Sequence, residues 1–163
     1  MANYSKPILD VCCGGKMFYF DKHDPRVLFC DIREITTELC DGRPFEVSPN
    51  IVADFTNLPF EDNSFKLVVF DPPHLLHETD SEITGWMQIK YGALHLDWRE
   101  MLTEGFAECF RVLEPNGILI FKWNETDIKV SEVLKLTNER PVFGHKSGKQ
   151  SKTHWLCFMK GNL

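Results

Sequence analysis

Asp71-Pro72-Pro73-His74 closes the apolar run Leu67-Val68-Val69-Phe70, and these four residues have the types and spacing to do chemistry. Two consecutive prolines donate no ladder hydrogen bonds and hold φ near about −65°, so a strand must stop there and leave Asp71 and the following carbonyls on a rigid turn. In an open α/β sheet, ligands bind beyond the carboxyl ends of the strands. A stiff acidic turn at that position presents acceptors to a polar substrate, and His74 adds a ring that can stack or titrate. The alternative is a Pro-terminated strand with a solvated acid.

Three more acids fall at equivalent places. Asp10 lies in the first apolar run just before Gly14-Gly15, Asp31 ends a second run and Asp54 ends a third. In a doubly wound sheet all three converge with Asp71 on one cleft. A carboxylate after the second strand has acceptor sites for both hydroxyls of a ribose. Asp54 can accept from an adenine amino group while Phe55 packs on the ring, and Gly14 and Gly15 let the backbone approach a ligand without a Cβ clash. The loop lacks Gly-x-Gly-x-x-Gly, so a dinucleotide pyrophosphate fits it poorly. Each acid alone reads as a solvated loop group; four at four strand ends read as a site.

The elements that must position these residues alternate between strand and helix. Apolar runs over 7–12, 26–31, 50–54, 65–70 and 117–123 read as buried parallel strands. Over 97–113, Trp98, Met101, Leu102, Phe106, Cys109, Phe110 and Leu113 recur at helical spacing, and Glu114-Pro115-Asn116-Gly117 is a stop-and-turn signal. A short helix fits 127–136. Runs over 141–145 and 153–159 flank a polar loop carrying Lys146, Lys149 and Lys152 and read as a terminal antiparallel hairpin, with the lysine tip read as a solvated turn ahead of the alternative, a phosphate contact. The stretch 32–49 begins like a helix, which Asp41-Gly42-Arg43-Pro44 would break. The expected class is α/β, a doubly wound, mostly parallel seven-stranded sheet flanked by helices.

With 163 residues, 43% hydrophobic and 26% charged, the chain fits a single domain over 1–163 with a real core. No apolar stretch approaches the roughly 20 residues that span a bilayer, and the first residues lack a basic segment followed by an apolar one, so no membrane association and a cytoplasmic location are expected. Cys12, Cys13, Cys30, Cys40, Cys109 and Cys157 are dispersed without metal-type spacing and read as reduced residues, with no metal site expected. A formal charge of −6 argues against a broadly basic nucleic-acid face, although a local patch can hide beneath an acidic average.

Three segments carry a family resemblance. Ile8-Leu9-Asp10-Val11-Cys12-Cys13-Gly14-Gly15, Asp54-Phe55-Thr56-Asn57-Leu58-Pro59-Phe60-Glu61-Asp62-Asn63-Ser64-Phe65 and Phe110-Arg111-Val112-Leu113-Glu114-Pro115-Asn116-Gly117 resemble the cofactor loop, the adenine-binding connection and the turn before the fifth strand of the class I S-adenosylmethionine-dependent methyltransferases. The likeness runs from about residue 6 to residue 160. It implies the strand order 3-2-1-4-5-7-6 with strand 7 antiparallel, and S-adenosylmethionine as cofactor. Asp10, Cys13 and Gly14 would surround its methionine part, with Cys12 and Gly15 in the same loop. Asp31 with Ile32 would hold the ribose, and Asp54 with Phe55 the adenine. Gly15-Lys16 stands where relatives carry a further small-Gly pair.

Asp71-Pro72-Pro73-His74 is similar to the Asp/Asn-Pro-Pro-aromatic motif of methyltransferases that act on planar exocyclic amines, above all of nucleobases. Such an amine has its lone pair delocalised into the ring, so acceptors that favour a tetrahedral nitrogen, here the Asp71 carboxylate and the Pro72 carbonyl, assist transfer. Pro73 stiffens the turn, and His74 replaces the aromatic residue that stacks on a flipped base. The segment 75–96, with His77, Trp86, Tyr91 and His95, is long enough to form a lid or substrate platform. The acceptor is left open: DNA or RNA leads, with a partner subunit able to supply target recognition. A small molecule or protein acceptor, and a cofactor-binding protein without catalysis, are the alternatives.

Overall fold

The computed structural model describes residues 5–78 and 85–161. β1 (Ile8–Asp10) is central because it finds parallel partners on both sides, β2 (Val27–Asp31) and β6 (Phe65–Phe70). β2 is buried at every position, the pattern of a parallel strand covered on both faces. β5 (Ile51–Val52) adds parallel to β2, and β7 (Leu113–Asn124) adds parallel to β6. The terminal hairpin follows, with β9 (Thr153–Met159) antiparallel to β7 and β8 (Phe143–Lys146) antiparallel to β9. The resulting order is β5-β2-β1-β6-β7-β9-β8, which is the expected 3-2-1-4-5-7-6 of a seven-stranded sheet. The stop-and-turn signal at 114–117 is an irregularity inside β7, with Asn116 at φ 64°.

The stretch 32–49 is not helical. It forms a separate antiparallel hairpin of β3 (Ile35–Glu38) and β4 (Pro44–Val47). Ile35-Thr36-Thr37 is β-branched, and Phe45 and Val47 are buried while Pro44 and Glu46 are exposed, a period of two that outweighs the helix-like start. Gly42, at φ 80°, makes the reversal.

The helices of the described residues all follow β6: α1 (Trp86–Tyr91), α2 (Trp98–Val112) and α3 (Val130–Val133), the last continued by a 3-10 turn over Leu134–Leu136. α2 presents Trp98, Leu102, Phe106, Cys109 and Phe110 to Leu9, Leu28, Val68, Phe70, Leu119 and Phe121 of the sheet. The opposite face is crossed by residues 11–26, which join β1 to β2 without a helix. There Phe18 stacks on Tyr19 with ring centroids 4.8 Å apart and meets Trp155 edge-on at 5.4 Å, while Tyr19 meets Phe29 edge-on at 4.8 Å. Aromatic rings thus cover part of the surface that a crossover helix would bury. No described helix is long and apolar enough to cross a membrane.

Arg111 ties two of the motif segments together. From α2 it donates to the carbonyls of Leu58 and Phe60, to Asp62 and to Glu108, at 2.6 to 3.0 Å. Gly105 sets how closely α2 approaches: a Cβ there would lie 2.8 Å from both the Phe55 and Phe70 rings. Gly105→Ala gains about 1 kcal/mol of helix propensity but must displace two buried rings at a cost of about 1–3 kcal/mol. A net loss of about 1 kcal/mol, a drop of about 2–4 °C in Tm for this size, is expected from thermal unfolding. An unchanged or raised Tm would show that the rings move freely.

Candidate active site

The ends of β1, β2 and β6 open into one cleft, lined among others by Cys13, Gly14, Asp31, Phe55, Asp71 and Tyr91. Cys12, Gly15, Ile32, Pro72, Pro73 and His74 line the same space. Most of the residues singled out in the sequence therefore come together, as the carboxyl-end rule requires.

Asp31 is nearly sealed from solvent. Its Oδ2 accepts from the Gly14 N–H at 2.8 Å, and its Oδ1 accepts from the Arg33 N–H at 2.9 Å and the Arg33 Nε–H at 3.2 Å. Oδ2 keeps a free lone pair, and the long bond from Arg33 Nε is the one a ribose hydroxyl can displace. Arg33 also donates to the Ile89 carbonyl at 3.0 Å, so it ties Asp31 to α1 above the cleft. Gly92, at φ 78°, follows α1 and packs on Pro73, where a Cβ would come within 2.9 Å of Cγ. The segment from α1 onward thus returns directly over the proline turn. Trp86 and His95 are exposed, and residues 79–84 of the expected lid lie outside the described residues.

Two of the expected cofactor acids sit elsewhere. Asp54 is exposed and spends Oδ1 on the backbone and hydroxyl of Thr56. Asp10 is fully buried beneath the loop, accepting from the Tyr19 hydroxyl at 2.8 Å and the Cys12 N–H at 3.2 Å. Burial pushes its carboxyl from 3.8 up to about 7, with the Asp71 and Asp31 charges adding and the Tyr19 and Cys12 hydrogen bonds opposing. Because the folded pKa is raised, the folded chain binds this proton more tightly. The contribution is full below about pH 4 and is lost as pH rises toward about 7. At about 1.4 kcal/mol per pK unit this amounts to a few kcal/mol. Asp10→Asn is therefore expected to gain stability relative to wild type as pH rises from about 4 to about 7 and to keep that gain above it, measured by urea unfolding. A difference independent of pH would show that Asp10 titrates normally.

Asp71 is held by an ion pair at the cleft wall. Lys122 Nζ, from β7, donates to its Oδ2 at 2.7 Å, with both side chains about a quarter exposed. Burial raises the Asp71 pKa, and the Lys122 ammonium opposes that rise. The ammonium lies 5.4 Å from the Phe18 ring centroid and 5.6 Å from that of Trp155. Lys122 was missed in the sequence, although a lysine late in the apolar run Ile118-Leu119-Ile120-Phe121 was a signal that something there is charged. Adjoining the cleft at Asp71, a second pocket is lined by Asp71, His74, Tyr91, Lys122, Asn124 and Thr153. His74 stands 5.6 Å from Tyr91 and 6.4 Å from Trp123 between ring centroids. Burial, then the Lys122 charge, holds its pKa down at about 4 against the opposing Asp127, so the ring is neutral near pH 7.

Solved structures share this fold. A protein of Pyrococcus horikoshii is similar at 18% identity and a TM-score of 0.59, over 94% of this chain and 81% of the other. The N-methyltransferase NodS of Bradyrhizobium japonicum aligns at 12% identity and a TM-score of 0.58, over 96% of this chain and 86% of the other. An S-adenosylmethionine-dependent methyltransferase of Methanosarcina mazei aligns at 12% identity and a TM-score of 0.57, over 98% and 95% of the two chains. The chain has the S-adenosylmethionine-dependent methyltransferase fold. No family model and no curated protein sequence matches it. Within the methyltransferase fold, the cleft at the ends of β1, β2 and β6 and the second pocket share Asp71, His74, Tyr91 and Lys122 as a common wall.

Proposed function

We propose that this chain is an S-adenosylmethionine-dependent methyltransferase that acts on an exocyclic amine of a nucleobase in DNA or RNA. The observation that carries the reading is the shared wall: an acid, two rings and a lysine separate a cleft with a ribose-type acid from a second pocket. The cleft fits the cofactor, since Asp31 presents acceptor capacity for ribose, the Gly14 backbone lies against it, and Phe55 offers an apolar wall. S-adenosylmethionine supplies an electrophilic methyl group on a sulfonium.

The remaining chemistry belongs to the protein. Asp71 accepts an N–H of the acceptor amine and draws the nitrogen lone pair out of ring conjugation. Lys122 opposes the rise that burial imposes on the Asp71 pKa and fixes one of its oxygens. His74 and Tyr91 offer ring faces to a planar acceptor. A neutral His74 needs no proton to do this, and the amine proton leaves after the carbon–nitrogen bond has formed.

Incubation with tritiated-methyl cofactor and separated DNA, RNA, protein and small-molecule pools tests the reading. Label in nucleic acid supports it. Label only in protein or small molecules overturns the acceptor class, and cofactor binding with no label in any pool overturns catalysis. With an acceptor in hand, His74→Tyr is expected to keep activity and His74→Ala to lose it, with no rise of the wild-type rate through about pH 6.5. An inactive Tyr variant that binds cofactor and acceptor normally would refute the stacking role.

A further inference from the structure

Outside the cleft, one groove inverts the charge balance of the molecule. The chain carries 24 acids against 18 lysines and arginines, yet a groove of about 550 Å³ between residues 14–23 and the β3–β4 hairpin is lined by Lys16, Lys22, Arg43 and Lys90 with His23, against Glu46 alone. Lys16 is the telling member. It is 8% exposed, its ammonium lies 4.4 Å from the Phe29 ring centroid, and among the described residues no carboxylate forms an ion pair with it. The stem is buried while the ammonium reaches solvent with none of these carboxylates paired to it, so it is available to an incoming anion. Arg43 pairs with Asp41 at 2.6 Å, but its side chain is 70% exposed, and such a pair is weak enough to yield. The acids beside Lys22 are engaged elsewhere: Asp21 accepts from the His23 backbone and Asp24 from Arg26.

The groove adjoins the cleft, sharing Gly14, Gly15, Met17 and Lys90 with it, and Lys90 is followed by Tyr91 on the wall of the acceptor pocket. We infer that this groove binds the phosphodiester backbone of a nucleic acid and leads the strand toward the pocket at Asp71 and Tyr91. The inference rests on the nucleobase reading above and assigns the charges that hold the substrate. Lysines and arginines spaced along a groove bind phosphates without reading sequence.

The test is anisotropy of fluorescein-labelled 20-nucleotide DNA and RNA strands of mixed sequence containing adenine, cytosine and guanine, titrated with salt, on wild type and on Lys22→Glu/Arg43→Glu. Both residues are exposed and neither lines the cofactor cleft. The double variant is expected to bind either strand about tenfold or more weakly and to lose about 1.4 from the log–log salt slope, about 0.7 for each single-strand phosphate contact removed. Its melting shift with S-adenosylhomocysteine should be unchanged. Equal affinity and slope in the two proteins overturn the groove, as does binding of polyglutamate as tightly as oligonucleotide. The nucleobase reading fails separately: strands bound through the groove but never methylated leave the groove standing. Strands methylated equally well by variant and wild type at limiting concentration overturn the groove and leave that reading intact.

Discussion

Asp71→Ala is expected to lower methyl transfer by about a thousandfold or more while the protein still folds and binds cofactor, because the substitution removes the acceptor at the reacting amine. The Asp71–Lys122 pair is about three-quarters buried on each side, so the variant also loses some stability and its folding is checked beside its activity. Asp71→Asn keeps an acceptor but loses the charge and should fall between the two. Lys122→Met removes the cation that opposes the raised pKa of Asp71, so its pH–rate profile should lose activity at a higher pH than wild type. Initial rates and circular dichroism on the same preparations check all three. Turnover retained in a folded Asp71→Ala would remove the proline turn from the mechanism.

The second large effect is on cofactor binding. S-adenosylhomocysteine at about a hundred times its Kd should stabilise wild type by about 2.7 kcal/mol, a rise of about 5–10 °C in Tm. Asp31→Ala should abolish most of that shift at the same ligand concentration, since losing charge-assisted bonds to ribose at about 1.5–3 kcal/mol each weakens binding by about a hundredfold. Asp31 also accepts from Gly14 and Arg33, so the variant loses stability without ligand and must be compared with its own ligand-free transition. Asp54→Ala is the control: its carboxylate is bound to Thr56 at the surface, and a near-normal shift is expected. Equal shifts in wild type and Asp31→Ala would place the cofactor elsewhere.

What the sequence by itself determined were the strands and the ends of the strands. Continuous apolar runs such as Val27-Leu28-Phe29-Cys30 can be satisfied only by burial on both faces, and the terminal hairpin announces itself through a polar turn between two apolar runs. Those signals are local, so the strands, the α2 helix and the meeting of Asp31, Gly14, Phe55 and Asp71 in one cleft were legible, while the order of the seven strands came from the family resemblance. What only the tertiary structure decided depends on partners far apart in the chain. Lys122 reaches Asp71 across 51 residues, and Arg33 reaches Ile89 across 56. Asp10 and Asp54 occupy strand ends like Asp31, yet one is sealed against Tyr19 and the other turned to Thr56, because whether a carboxylate faces a cleft is set by what packs over it. The 32–49 stretch became a hairpin for the same reason: once Phe45 and Val47 are buried, the alternation of two outweighs local helical preference. The basic groove arises only when that hairpin stands beside residues 14–23, bringing Lys16 and Arg43 together from segments that never touch along the chain.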